Sequence, residues 1–464
     1  MRKLSFLLAL VLLVKLNYVL TGCAQIMSPG GGPKDTIPPK LLNAHPALST
    51  VNFKGKTITL NFDEYIQVDQ LQQNLLVSPA PNKTPQVDYK FRTVTIRLRD
   101  TLMPGTTYVL DFGNAIKDLN EGNIYKNFKY VFSTGPYIDS MTLSGKVNLA
   151  ETGGVDSTMM ALLYKDLSDS APRVHRPNYI ARINKEGAFK FTNLSPGVYK
   201  VYALKDESGS HLYTSKFETF AFLDTTVTVS SASPQVMLYA FAEEKEAPKT
   251  PTGNGGPKKK NDKRIKYSTP IVNENQDLLG PLTIEFQSSL KKLDTSQIRL
   301  TDTLFNSYKD VAVGMDSTRK KITIKHTWTE DTYYKLIINK DFAVDTFGNT
   351  LYKSDTITFK SKKTSDYGTV KLTFKNLDLT KNPVLELVSN TIIAYSHPLT
   401  ASEWTSSILQ PGDYEIRILY DRNKNGVWDP GNYKLKRQPE LVYTIPQPFT
   451  IKANWDNEKD IELP

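Results

Sequence analysis

Ser195-Pro196-Gly197-Val198-Tyr199 runs on to Asp206, and the same construction returns as Gln410-Pro411-Gly412-Asp413-Tyr414 running on to Asp421. In both copies the glycine and the aspartate lie nine positions apart. A Pro-Gly turn followed by alternating apolar residues is typical of a β-strand that leaves a turn. Two copies with matching flanks, far apart in one chain, indicate an internal duplication.

Length and composition favour a multidomain β-protein. A chain of 464 residues predicts three or four domains at roughly 100 to 150 residues each. Aromatic residues make up 10 % of the chain, and this abundance favours strands. The formal charge is +10, but most of it lies near the N-terminus and between residues 249 and 266. The rest of the chain is nearly neutral, so we expect no nucleic-acid partner.

The N-terminus carries the only cysteine of the chain, which excludes intrachain disulfides and zinc-cysteine sites. Arg2 and Lys3 precede an apolar run over residues 6–14, which is shorter than the ~20 residues of a spanning helix and predicts a signal peptide. The following Leu20-Thr21-Gly22-Cys23 resembles the lipobox of bacterial lipoproteins. That resemblance implies cleavage before Cys23, lipidation of its thiol and anchoring of the chain to the outer membrane. An ordinary secretory signal that ends near a cysteine is the alternative.

Period-two alternation predicts the first folded region. Ile58, Leu60 and Phe62 alternate with polar residues, as in an antiparallel strand with one buried face. With the strand ending Asn61-Phe62-Asp63-Glu64, the segment Leu102-Met103-Pro104-Gly105-Thr106-Thr107-Tyr108 and the turn from Asp118 to Asn123, the region resembles the bacterial Ig-like domain of the SbsA type. The resemblance implies a β-sandwich of about a hundred residues, as in surface-layer proteins and envelope lipoproteins.

The second folded region contains the first Pro-Gly turn. Phe189 and Phe191 form a short strand before this turn, and Tyr199, Val201 and Ala203 alternate after it. This order resembles the carboxypeptidase-regulatory or transthyretin-like sandwich, which implies a structural or adhesive accessory domain.

The second half repeats both regions, so the predicted fold class is all-β, with tandem antiparallel β-sandwich domains, Ig-like and transthyretin-like, after a lipoprotein signal peptide. The predicted organisation is a signal peptide at 1–22, a flexible tether at 23–37, an Ig-like sandwich at 38–136, a transthyretin-like sandwich at 137–241, a disordered basic linker at 242–266, a degenerate Ig-like sandwich at 267–363 and a transthyretin-like sandwich at 364–464. Because the linker contains few apolar residues, we expect the halves to fold independently.

One loop has the spacing of a metal site. Oxygen ligands at every second residue, with a glycine for the sharp turn, are typical of the first nine positions of an EF-hand calcium loop. The candidate calcium ligands are Asp421, Asn423, Asn425, Val427 through its carbonyl, and Asp429. Asn432 stands at the twelfth position in place of a bidentate glutamate. The alternative is a type I′ turn at Asn425-Gly426, with positive φ at both residues.

No stretch of the chain predicts catalysis. The five histidines are scattered and no local nucleophile or phosphate motif occurs, so we expect a non-catalytic protein. Trp428, in the loop after Gly426, is the candidate for glycan stacking, with core packing as the alternative. The sequence thus predicts an envelope lipoprotein that acts as a binding, adhesive or scaffold module, bound to the membrane through Cys23 and to an unknown envelope protein or glycan. The alternatives are a glycan- or substrate-capturing accessory protein, an envelope hydrolase and an assembly factor.

Overall fold

The computed structural model describes residues 34–245, 264–269, 271 and 275–463. Within these residues, regular structure is almost entirely β-strand, with two four-residue α-helices and three short 3-10 helices. The predicted all-β fold of antiparallel sandwiches is therefore confirmed. No helix in the described ranges is long and apolar enough to cross a bilayer. Cys23 and most of the predicted tether lie outside the described residues.

Unit 1 (residues 34–136) is a sandwich of two antiparallel sheets with the strand orders β1-β2-β6-β5 and β4-β7-β9, flanked by the pair β3-β8. Its core contains Ile58, Leu60 and Phe62, as their alternation predicts. Its elements are β1 (Leu41–His45), β2 (Thr57–Phe62), β3 (Ile66–Val68), α1 (Leu71–Asn74), β4 (Leu76–Ser78), β5 (Gln86–Lys90), β6 (Thr93–Arg97), β7 (Thr107–Gly113), β8 (Ile116–Asp118) and β9 (Phe128–Ser133).

Unit 2 (residues 137–245) packs a three-stranded sheet, β13-β10-β17, against the sheet β12-β11-β14-β15, with β16 also paired to β14. The pair β10–β17 is parallel. Its elements are β10 (Met141–Leu149), β11 (Met160–Tyr164), α2 (Ala171–Val174), β12 (Tyr179–Arg182), β13 (Ala188–Leu194), β14 (Gly197–Leu204), β15 (Phe220–Phe222), β16 (Val227–Val229) and β17 (Val236–Ala240).

Unit 3 (residues 264–363) repeats the order of unit 1, with sheets β18-β20-β24-β23 and β19-β27-β25-β22 and the pair β21-β26. Its elements are β18 (Tyr267–Ser268), β19 (Asn275–Gln276), β20 (Leu282–Phe286), β21 (Leu290–Leu293), a 3-10 helix (Thr295–Gln297), β22 (Ile298–Thr301), β23 (Ala312–Met315), β24 (Lys321–Lys325), β25 (Tyr333–Ile338), β26 (Ala343–Asp345) and β27 (Asp355–Ser361).

Unit 4 (residues 364–463) repeats the order of unit 2, with sheets β31-β28-β35 and β30-β29-β32-β33 and β34 also paired to β32. Its elements are two 3-10 helices (Thr364–Asp366 and Leu379–Lys381), β28 (Gly368–Lys375), β29 (Pro383–Ser389), β30 (Ile392–Pro398), β31 (Glu403–Leu409), β32 (Gly412–Tyr420), β33 (Leu441–Thr444), β34 (Phe449–Ile451) and β35 (Asp456–Glu462).

The repeat extends to single hydrogen bonds. The Tyr199 hydroxyl donates to the Ser195 carbonyl at 2.7 Å, and the Tyr414 hydroxyl donates to the Gln410 carbonyl at 3.0 Å, each four residues back. In units 1 and 3 the hydroxyls of Tyr108 and Tyr334 accept from backbone N–H groups five residues back, at 2.8 and 2.9 Å. Each buried ring thus fixes the turn before its own strand, so the two halves share fold determinants as well as strand order.

The predicted linker is wrong at both ends. The Glu243 carboxylate accepts from the Tyr213 hydroxyl at 3.0 Å, and Lys245 forms an ion pair with Glu151 at 2.5 Å, so the first residues belong to unit 2. Ile265 is buried in the core of unit 3, and its N–H donates to the Thr350 carbonyl. Residues 246–263, which include Lys258-Lys259-Lys260, lie outside the described residues.

Candidate functional site

A contact that contains many aromatic side chains joins unit 2 to unit 4. Tyr433 extends from the loop between β32 and β33 and is only 3 % exposed. Its ring packs against four aromatic rings of unit 2, with centroid separations of 5.1 to 6.2 Å to Phe222, Phe220, Tyr202 and Tyr213. The two halves dock on each other, because Tyr433 belongs to the hydrophobic cluster of unit 2, and independent folding of each half stays a prediction.

Hydrogen bonds fix Tyr433 inside this pocket. Its hydroxyl donates to the Asp169 carbonyl at 2.9 Å and lies 3.1 Å from the Tyr202 hydroxyl. Its N–H donates to the Glu243 carboxylate at 3.1 Å. Burial raises the pKa of both Tyr433 and Tyr202, so both phenols stay protonated at neutral pH. The inserted ring therefore has polar partners as well as apolar ones, as a buried tyrosine requires.

Backbone contacts extend the interface along β33. The N–H of Val442 donates to the Ala150 carbonyl at 3.0 Å, and the Thr444 hydroxyl donates to the Thr152 carbonyl. The Gln438 amide donates to the Phe222 carbonyl at 3.0 Å. Gly431 is required by close approach, because a Cβ there would lie 2.4 Å from the ring of Phe241. We call this set of contacts, centred on Tyr433, the docking interface.

One charged contact at the docking interface is expected to respond to acid. Asp169 of unit 2 accepts from Lys200 at 2.5 Å and from Lys436 of unit 4 at 2.7 Å, and these contacts lower the pKa of Asp169 to about 2. A carboxyl group whose pKa is lowered by folding stabilises the folded state at pH values above its unfolded pKa of about 3.9. This stability is lost as the pH falls toward the pKa of the folded state.

Hydrogen exchange at the Val442 N–H, corrected for intrinsic rates, should therefore accelerate between pH 5 and pH 2.5, and less so in Lys436→Met. Equal acid sensitivity in the wild type and in Lys436→Met would contradict this role of Lys436.

A cleft of about 890 Å³ opens beside the docking interface, between units 2 and 4. Half-buried tyrosines from both units line it, namely Tyr239, Tyr420 and Tyr443. Lys381 and Arg422 supply hydrogen-bond donors, and the Lys381 ammonium lies 5.6 Å from the centroid of Tyr420. Clefts between domains that combine aromatic faces with a few polar groups are common ligand sites.

The loop predicted to bind calcium is organised around Asp421. This residue is 2 % exposed, and its carboxylate accepts from the N–H groups of Lys424, Asn425 and Gly426 at 2.7, 3.3 and 2.7 Å. In unit 2, the Asp206 carboxylate accepts from Gly209 and His211 at 2.8 and 2.7 Å, at the same offsets of three and five residues. The duplicated aspartate therefore organises a turn in both halves, including the copy without alternating oxygen ligands.

The other candidate ligands converge on one carboxylate. The amide nitrogens of Asn423 and Asn425 lie 2.6 and 2.9 Å from one Asp429 oxygen. The amide oxygens accept instead from the N–H groups of Asn425 and Val427, at 3.1 and 2.8 Å. Among the described residues, no group of three or more His, Cys, Asp or Glu could hold a metal ion. The loop is thus closed by its own hydrogen bonds, and calcium binding stays a prediction.

The predicted type I′ turn is wrong. Positive φ occurs at Lys424 (61°) and Gly426 (77°), and not at Asn425. The loop is also no tight hairpin, because β32 ends at Tyr420 and β33 begins at Leu441. Glu440 holds the two ends of the ligand segment together, since its buried carboxylate accepts from the N–H groups of Arg422 and Asp429 at 2.8 and 3.1 Å.

The calcium hypothesis has a direct thermal test. If the five candidate ligands bind the ion in the folded state only, millimolar calcium should raise the melting temperature by mass action, compared with chelator. Few of these ligands are charged, so the affinity should be on the order of 10⁻⁴ to 10⁻³ M. Magnesium at the same concentration is the control, because its ligand geometry is stricter. Melting curves that coincide in calcium and chelator would contradict calcium binding.

Trp428 is half-buried in the structure. Its ring packs against Val384, Leu419 and Val442, and its indole N–H donates to the Glu440 carbonyl at 2.8 Å. Lys245 of unit 2 lies 5.8 Å from the ring centroid. These contacts are those of a packing residue, and glycan stacking by Trp428 stays a prediction.

A second contact between units lies at the edge of β12. The Ser78 hydroxyl of β4 accepts from the Ile180 N–H at 3.0 Å, and the N–H of Ala80 donates to the Pro177 carbonyl at 3.1 Å. Arg182 of β12 reaches into unit 1, where it forms an ion pair with Asp111 at 2.6 Å. Units 1 and 2 are therefore joined side by side along two sheet edges.

Comparisons with known proteins place one domain in a family. The model of the bacterial Ig-like domain matches residues 35–134, which correspond to unit 1. No curated protein matches the chain.

Several solved structures resemble the chain weakly. The major pilin subunit BcpA of Bacillus cereus is 11 % identical, with a TM-score of 0.17, over 70 % of this chain and 99 % of the pilin. The Bacillus anthracis TIE protein is 11 % identical, with a TM-score of 0.16, over 94 % of this chain and 75 % of that protein. The S-layer protein rSbsC(31-844) is also 11 % identical, with a TM-score of 0.16, over 91 % of this chain and 54 % of the S-layer chain. Because the TM-scores and the sequence identities are this low, these similarities carry no functional conclusion.

The chain is therefore an all-β protein with a bacterial Ig-like domain near its N-terminus, followed by further sandwich units that repeat in order. Sequence reasoning missed Tyr433, Gln438 and Glu243, which carry the docking interface. The signal that could have found Tyr433 is an aromatic residue inside a long loop rich in polar and charged residues, where no strand pattern explains it.

Proposed function

We propose that this protein is a non-catalytic scaffold or adhesive platform of the cell envelope, tethered to the outer membrane by lipid at Cys23. The observation that carries the proposal is the insertion of Tyr433 into the aromatic pocket of unit 2. Domains joined by flexible linkers have no fixed relative orientation, whereas docked domains present a surface of defined geometry. A defined surface is what a binding platform needs, because preorganisation lowers the entropy cost of binding.

The contacts between units support rigidity over most of the chain. Unit 1 is fixed to unit 2 at the β4–β12 edge, and unit 4 is fixed to unit 2 at the docking interface. Unit 3 meets unit 4 where the Tyr367 hydroxyl donates to the Asp277 carboxylate at 2.6 Å and accepts from the Leu278 N–H at 2.7 Å. The described residues of the four units thus form one connected folded block.

Lipid anchoring is tested by changing the single cysteine. The mature wild-type chain should fractionate with membranes and begin at an acylated Cys23, because acyl chains hold a protein at a bilayer that it does not cross. Cys23→Ser should remove the lipid and leave the chain unprocessed or released. Mass spectrometry of the mature N-terminus distinguishes a lipoprotein signal peptide from an ordinary secretory signal peptide. An unmodified mature chain that begins elsewhere would contradict the lipoprotein proposal.

The platform role is tested by co-purification. The full chain, extracted from membranes with mild detergent, should retain an envelope protein, and Tyr433→Ala should lose it if the partner requires the docked geometry. Hydrolysis of an envelope polymer by the purified chain would contradict a non-catalytic role.

The cleft between units 2 and 4 favours a second candidate function, capture of a glycan. Tyrosine faces suit sugar rings, and the Tyr239, Tyr420 and Tyr443 side chains come from both units. A glycan array with the full chain should identify a ligand whose binding falls at least tenfold in Tyr443→Ala, and less in Trp428→Phe. An array without signal would contradict glycan capture while leaving the scaffold proposal intact.

A further inference from the structure

The duplicated fold leaves one sheet edge open in the second half that is covered in the first. In unit 2 the edge strand is β12, which contacts β4 of unit 1 through Ser78 and Ala80. The equivalent strand of unit 4 is β30, which among the described strands is hydrogen-bonded to β29 alone. Six of its seven residues are exposed, and Ile392 and Ile393 are 69 % and 47 % exposed.

Unit 3 explains why this edge is open. Its equivalent of β4 is β22, which pairs with β25 as β4 pairs with β7. The outer side of β22 is occupied by its own chain, because the Tyr308 N–H donates to the Leu300 carbonyl at 3.0 Å and Thr301 forms a bridge with Ser307. A strand capped in this way has no free edge to offer, so β30 lacks the cover that β12 has.

The exposed edge has backbone groups ready to pair. The N–H of Leu399 donates to the Pro383 carbonyl, so by alternation His397 turns its backbone toward β29 and Ser396 turns its own away. Natural edge strands are usually protected by charged side chains, by proline, by β-bulges or by shortness. β30 has one bulge, at Ala394, where its register with β29 shifts, and its pairing with β29 is regular from Tyr395 to Pro398. The seven residues Ile-Ile-Ala-Tyr-Ser-His-Pro contain no Asp, Glu, Lys or Arg, and their proline stands at the last position.

We propose that β30 pairs edge to edge, in antiparallel orientation, with β30 of a second copy of this chain. A strand without charged residues meets no like-charge repulsion when it faces itself, and offers no charge to select a foreign strand. Antiparallel self-pairing about Ser396, whose backbone points away from β29, places Ser396 opposite its own copy and Tyr395 opposite His397 of the second copy, and aromatic cross-strand pairs are stabilising. The first half shows that the equivalent edge is covered by a strand of this same chain. This inference does not depend on lipid anchoring or on the platform role.

Cysteine crosslinking in the full chain tests the pairing. Ser396→Cys should give, under mild oxidation, a species of twice the chain mass. The matched control is Thr405→Cys, at an exposed position on β31, the edge strand of the opposite sheet, and it should give none. The wild-type chain controls for Cys23. A monomer only, equal crosslinking at both positions, or a crosslinked species of another mass would each overturn self-pairing, the last by revealing a different occupant.

Charge substitutions separate self-pairing from other association. Ser396→Lys and Ser396→Glu place a charge at the exposed position that faces its own copy, without touching the core. Each variant alone should sediment as a monomer in density-matched detergent, and an equal mixture of the two should recover the dimer. A wild-type chain that is monomeric at about 100 μM, two variants that each still form dimers, or a mixture that stays monomeric would overturn the proposal.

Discussion

Tyr433→Ala should separate the two halves of the folded chain. Truncating a fully buried aromatic ring costs about 3 to 5 kcal/mol, because contacts are lost and a cavity remains. Here the change also leaves the aromatic pocket of unit 2 open and removes the hydroxyl that donates to Asp169. A loss of about 3 kcal/mol corresponds to roughly a hundredfold change in the docking equilibrium.

Hydrogen exchange measures this loss where it occurs. The peptide around Val442, whose N–H crosses the docking interface to Ala150, should exchange about a hundredfold faster in Tyr433→Ala. The cores of units 1 and 3 should be unchanged. Tyr433→Phe is the matched control, since it keeps the ring and should cost only about 1 kcal/mol. Equal protection of Val442 in wild type and Tyr433→Ala would show that the ring does not hold the halves together.

Asp421→Ala should unfold the loop that presents Tyr433. Three N–H groups would lose their charged acceptor, and a hydrogen bond to a charged group contributes about 1.5 to 3 kcal/mol. We expect a loss of at least about 3 kcal/mol and undocking of unit 4 even in the presence of chelator. This revises the expectation from the calcium hypothesis alone, under which the variant would leave the calcium-free protein folded and abolish only the calcium shift.

Two comparisons make the Asp421 prediction specific. Asp421→Asn keeps one oxygen acceptor and should cost less than the alanine variant. Asp206→Ala disrupts the equivalent turn of unit 2 and should lower stability similarly, although that loop lacks the calcium ligand spacing. Thermal melts of the full chain in chelator decide the matter. Asp421→Ala melting at the wild-type temperature in chelator would contradict the structural role of the carboxylate.

The strands could be predicted because burial in a sandwich imposes a period of two on the sequence. Ile58, Leu60 and Phe62 show this period, and so does the strand that follows each Pro-Gly turn. The duplication was equally visible, since both halves retain the turn and the aspartate that ends the strand. The conserved order of strands then follows from one fold being used twice.

The docking interface could not be predicted because its signals are not periodic. Tyr433 contacts residues more than two hundred positions earlier, and nothing in its local sequence specifies that pocket. Glu243 and Ile265 lie in a segment whose composition is that of a linker, yet each has a specific partner in a folded unit. Composition reports the average of a segment, whereas a single buried contact decides where a domain ends.

The candidate ligand loop was found from its spacing, but spacing alone does not determine where oxygen atoms point. Asp421 and Asp429 are close to where an EF-hand pattern expects them. In the structure, the Asp421 carboxylate accepts hydrogen bonds from backbone N–H groups, and the Asp429 carboxylate accepts hydrogen bonds from two side-chain amides. The same residues therefore serve a turn that carries the docking interface.

The most direct test of the central claim is to cut the chain between its halves. For this test, a specific protease site is inserted after Gly256, within the segment that the sequence predicts to be a linker. After cleavage, the two fragments should co-migrate on size-exclusion chromatography as one particle with the elution volume of the intact chain, and the Tyr433→Ala fragments should separate. Wild-type fragments that elute as two independent species would contradict a docked molecule.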